Sequence, residues 1–135
     1  MKLFARFVFR TVQVVPNLSW VFIFYFFVGP DRLEDYVFTV LEIELTWAGV
    51  IILAGAVALA FEIMKSTIFS PWAVFELMMS VVALLGGAFF ILKSPPFMTE
   101  TFLIIVMFEF IDVVIGAWVM VSVARRDIGF TPGGS

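Results

Sequence analysis

Four long apolar stretches make up most of this chain, and three of them contain acids. A membrane-crossing helix needs about 20 mostly apolar residues. Segments near 9–28, 47–64, 72–92 and 101–123 meet that need, separated by GPDRLEDY, KSTIFSP and KSPPFMTE. Yet Glu62 lies in the second, Glu76 in the third, and Glu109 and Asp112 in the fourth, within MFEFIDVV. An acid in hydrocarbon is expensive, so each needs a partner, a proton or a reason.

Composition agrees with the spans. Of 135 residues, 63% are hydrophobic and 14% charged, against roughly half and a quarter in a soluble domain. The expected fold class is an all-α integral membrane protein, four transmembrane helices in an up-down bundle. Residues 1–128 form one domain and 129–135 a flexible tail. The basic start of the first span resembles a signal peptide, but no small-x-small cleavage site follows, so the span is expected to stay in the mature protein. Pro16 is expected to kink it.

The bases sort by side. Lys2, Arg6, Arg10, Lys65, Arg125 and Arg126 fall at one set of span ends, and only Arg32 and Lys93 at the other. Six against two places both termini in the cytoplasm. Asp31, Glu34, Asp35, Glu42, Glu44 and Glu100 then lie outside. VFTVLEIEL (37–45) is too acidic for hydrocarbon and reads as a helical extension of the second span or a short interfacial helix, with Tyr36 and Trp47 at headgroup level.

Lipid does not drive apolar helices together, so small residues mark their contacts. At 3.6 residues per turn, Ala48, Gly55, Ala58 and Glu62 share one stripe, and Glu76, Ser80, Ala83 and Gly87 another. Glu109, Asp112 and Gly116 share a face with Ile105, opposite Ile104, Ile111, Ile115 and Trp118. Gly55, Ala58, Ala83, Gly87 and Gly116 are thus the candidate packing positions, and every membrane acid turns inward.

Depth along the spans suggests two layers. Arg10, Glu62, Lys65 and Glu76 form an ion-pair cluster at the cytoplasmic side. Glu109 and Asp112 form a second layer near the midplane, where only Asn17, Gln13, Ser80 and Tyr25 are available as neighbours. Two close carboxylates in a low dielectric cannot both stay ionised cheaply. Glu109 and Asp112, with Asn17, Gln13 and Ser80, are therefore the candidate proton or ion-binding residues.

Several classes are excluded. The chain has no cysteine and no histidine, which removes disulfides, thiolate zinc, iron–sulfur centres, histidine-ligated haem and Glu-x-x-His di-iron sites. No phosphate loop, nucleophile–base set, metal spacing or basic nucleic-acid stripe is present. Neither a metal, a cofactor nor a nucleic-acid partner is expected. The run FIFYFF (22–27) reads as packing or lipid-facing aromatics. Small multidrug exporters also have four spans and a buried acid, but their essential glutamate is in the first span, which carries no acid here. Length, span count and KSPP before the last span resemble the phosphate-starvation-inducible family of small membrane proteins, a likeness that implies no mechanism.

Two functional readings follow. One is a non-enzymatic protein acting by helix association, as a homo-oligomer or as an accessory subunit of a larger membrane complex. The other is a proton or small-cation transport protein using Glu109 and Asp112. A holin-like pore former and a lipid-acting enzyme are weaker alternatives. The expected partners are the bilayer and copies of itself or other membrane subunits. The expected location is a bacterial or archaeal cytoplasmic membrane.

Overall fold

The computed structural model describes residues 16–66 and 73–129, with side chains as far as 65 and 125 in the two stretches. It contains four helices: α1 (Asn17–Val28), α2 (Trp47–Ser66), α3 (Ala73–Lys93) and α4 (Glu100–Gly129). The last three are long and apolar enough to cross a membrane. Helix α1 has 12 residues, about 18 Å at 1.5 Å per residue, short of a hydrocarbon core of about 30 Å; residues 9–15 of the expected first span lie outside the described residues.

Pro16 does not kink a continuous helix. Its φ of −56° and ψ of 132° put it outside helical geometry, so α1 begins after it. Proline has no N–H to donate and its ring clashes with the preceding turn. At the other end Gly29 adopts φ +80° while its N–H reaches the Tyr25 carbonyl. A side chain there would be strained, and glycine is the natural terminator.

The segment 37–45 is a β-hairpin rather than a helix. Strands β1 (Tyr36–Val40) and β2 (Ile43–Thr46) pair antiparallel, Phe38 opposite Leu45 and Val40 opposite Ile43, with a register shift between Tyr36 and Phe38. Two residues close the loop, Leu41 at φ 49° and Glu42 at φ 67°. Positive φ at both central positions is the type I′ turn whose twist suits a hairpin. Leucine and glutamate pay roughly 1–2 kcal/mol each for it. Trp47 N–H to the Asp35 carbonyl and Ala48 N–H to the Leu33 carbonyl fasten the hairpin base. The chain is therefore mostly helical but not purely so.

Helix α4 is the centre of the assembly. It packs extensively on α2 and α3 and also touches α1, whereas α2 and α3, neighbours in sequence, make little direct contact. Close approach depends on missing side chains. A Cβ on Gly55 would stand 2.9 Å from the Phe108 ring, and one on Gly87 2.9 Å from Val106 and 3.2 Å from Phe22. Ala58 packs at the edge of the core, and Gly116 lies against Leu77.

The core is polarised along the helices. Val21, Phe22, Tyr25, Val28, Leu33, Ile51, Phe102, Ile105 and Val106 fill the half nearest the hairpin. Phe22 and Phe102 meet edge to face at 5.6 Å. The Tyr25 hydroxyl shares a 2.8 Å hydrogen bond with Thr99. The other half of the interior is where the acids are.

Candidate functional site: a carboxyl cluster at one end of the helices

Glu62 is the hinge of the site. It sits one turn from the end of α2, is almost wholly enclosed, and accepts a hydrogen bond from the Asn17 backbone N–H. That N–H belongs to the first turn of α1, where donors have no intrahelical partner and the helix dipole favours an anion. Asn17 thus enters the site through its backbone. Lys65, one turn on, lies 3.7 Å from Glu62 and pairs with Glu76 of α3. This ion-pair triad fastens α2 to α3 where they otherwise scarcely touch. Arg10 and Gln13 lie outside the described residues.

Asp112 belongs to the same cluster. A cleft of about 40 Å³ is lined by Glu62, Lys65, Ala73, Glu76, Leu77, Ser80, Asp112, Gly116 and Met120. One water needs roughly 10–15 Å³, so a few fit. The Ser80 hydroxyl donates to Asp112, and Asp112 is near enough to feel both Glu76 and Lys65. The cleft thus joins Asp112 to Glu62, Lys65 and Glu76, which were expected in a separate layer. Ser80 is seven residues into α3, about 10 Å from its start, and Asp112, level with it, falls at the middle of the apolar stretch Glu100–Arg125. Tyr25 is likewise not a neighbour of the acids. Its partner Thr99 is about 15 Å of helix away from Glu109.

Glu109 is the exceptional residue. It is 0% exposed, and neither carboxyl oxygen has a hydrogen-bond partner among the described residues. Asp112 and Glu62 are its electrostatic neighbours, both repulsive when ionised. Above it, toward the hairpin, Ile105, Phe102 and Ile51 are completely buried. The polar region therefore opens at the Lys65 end and is closed at the aromatic end.

Four carboxyls thus share one ammonium among the described residues. An uncompensated buried ion costs several kcal/mol, so the cluster favours holding protons or a cation over full ionisation. Among the described residues no three acids converge in metal-ligating geometry.

The sequence identifies Glu109, Asp112 and Ser80 as neighbours but misses the contact between Glu62 and the start of α1. Pro16 was the available signal, because a helix starting after it exposes unpaired N–H groups to whatever lies opposite. No family model, curated protein or solved structure matches this chain.

Proposed function

We propose that this is a small, non-enzymatic multi-pass membrane protein whose buried carboxyls take up and release protons from one side of the membrane. Asp112, lining the cleft and oriented by Ser80, is the entry group. Glu109, one turn deeper, is the terminal acceptor. Glu62, Lys65 and Glu76 form the mouth. The carrying observation is the enclosed, unpartnered Glu109 carboxyl beside an acid that lines an open cleft. Such a group is costly unless its titration is used.

The six-to-two split of bases supports an up-down topology with cytoplasmic termini in a bacterial or archaeal inner membrane, so the cleft opens to the cytoplasm. Closure at the aromatic end favours a one-sided exchange site over a continuous channel. On a pH jump applied to the protein in nanodiscs, with a pH dye in the surrounding solution, Asp112→Asn and Glu109→Gln are each expected to lower the number of protons taken up per chain while leaving the oligomeric state intact. Uptake equal to wild type in both variants would refute the reading.

Association with further copies or with other membrane subunits is the second reading. It is favoured by an apolar groove of about 200 Å³ between α1 and α3, lined by Phe22, Phe26, Ala83, Gly86 and Phe90. A Cβ on Gly86 would touch nothing within 4 Å. Small residues at an open groove admit a close helix. Native mass measurement in mild detergent decides it: a strict monomer without partner removes this reading.

A further inference from the structure

The hairpin sorts its side chains by chemistry. Directly paired residues of an antiparallel ladder share a face, and alternate residues point oppositely. The pairs Phe38 with Leu45 and Val40 with Ile43 therefore lie on one face, and the pair Thr39 with Glu44 on the other. Leu45, at the base, packs beside Gly49 of α2, but the remainder of the apolar face is largely uncovered among the described residues. Ile43 is 64% exposed, and Phe38 and Val40 are each more than two-fifths exposed, with Leu41 at the tip 90% exposed. A two-stranded ribbon by itself is marginal in water, and this one also carries a strained turn.

Its position restricts what can cover that face. Strand β2 runs directly into Trp47, the first residue of α2, and the backbone bonds at Asp35 and Leu33 hold the ribbon against the helix ends. Helix α2 is itself long and apolar enough to cross a membrane, so the ribbon is mounted at the boundary between hydrocarbon and water. A second copy is a poor occupant, because Asp31, Glu34, Asp35, Glu42 and Glu44 surround the ribbon with only Arg32 among them, and like charges would meet. A basic protein would satisfy the acids but not the apolar face opposite them. A lipid–water interface satisfies both at once.

We propose that the hairpin 36–46 lies along the membrane interface at the end opposite the carboxyl cleft, with Phe38, Val40, Leu41 and Ile43 in the acyl boundary and Glu44 in water. It acts as an amphipathic foot that fixes the depth of α1 and α2 in the bilayer. The absence of cysteine lets single nitroxide labels report each site. Labels are placed at Leu41→Cys at the tip, at Ile43→Cys on the apolar face, and at Thr39→Cys and Glu44→Cys on the polar face. Each variant is placed in nanodiscs of phosphatidylcholine with phosphatidylglycerol. Collision with oxygen, which prefers lipid, and with a water-soluble nickel chelate is read by electron paramagnetic resonance. The expected result is a several-fold preference for oxygen at 41 and 43, and for nickel at 39 and 44. Equal nickel access at all four sites overturns the proposal, since the ribbon then stands in water. Shielding of 41 and 43 from both reagents also overturns it, because a protein then covers the face. So does a helical rather than alternating pattern. None of these outcomes depends on proton uptake.

Discussion

Removing the carboxyl of Glu109 should make the protein more stable. In most interiors, replacing a buried charged residue weakens a fold because it breaks hydrogen bonds. Here there are none to lose among the described residues: the side chain is fully enclosed and both oxygens lack partners. A methionine has similar length, fills irregular space and needs no donor or acceptor. Relieving a buried, unsatisfied polar group is worth about 1–3 kcal/mol. That corresponds to roughly a 5- to 150-fold shift in the unfolding equilibrium. Glu109→Met should therefore raise the midpoint of unfolding in mixed micelles titrated with dodecyl sulfate, followed by circular dichroism. Glu109→Gln, whose amide also lacks partners, should change it little. If Glu109→Met unfolds more easily than wild type, the carboxyl has a stabilising partner and the reasoning about an unpaired acid is wrong.

Three further outcomes are expected. Ser80→Ala strips Asp112 of its side-chain donor and should cost about 1–3 kcal/mol in the same titration. Gly87→Ala pushes a methyl to 2.9 Å from Val106 and should cost about 1–3 kcal/mol through overpacking, whereas Gly86→Ala, meeting nothing within 4 Å, should be neutral or slightly stabilising. Replacing Leu41–Glu42 by Asn–Gly relaxes two left-handed residues and should slow amide exchange across the Val40–Ile43 pair by about tenfold, as for a gain of roughly 1 kcal/mol or a little more.

The helical character and the inward set of the acids were legible because both depend on local periodicity. A stripe such as Glu76, Ser80, Ala83 and Gly87 is readable wherever the helix sits. Register between helices is a property of the assembly, so the sharing of one cleft by Asp112, Glu62, Lys65 and Glu76 is not readable from any single span. The hairpin had a visible signal, since Phe38-Thr39-Val40 and Ile43-Glu44-Leu45-Thr46 alternate apolar and polar residues. It was masked by a turn without glycine or asparagine, the residues that normally announce a type I′ loop. Pro16 was recognised as a disturbance, but whether proline bends a helix or ends it depends on what meets the freed N–H groups. Here it is Glu62 of another helix.

The central place of α4 has a consequence for how the molecule is made. Synthesis runs from the N-terminus, yet α2 and α3 barely contact each other and instead clasp α4, which follows both in the chain. Until residues 100–116 have left the ribosome, Gly55 and Gly87 face no Phe108 or Val106, and Ser80 has no Asp112 to bind. Until then Glu62 and Glu76 have Lys65 and the Asn17 backbone N–H as their partners among the described residues. Docking of α2 and α3 is thereby postponed until α4 is made, and a chain cut short before residue 100 leaves Gly55, Ser80 and Gly87 without these partners.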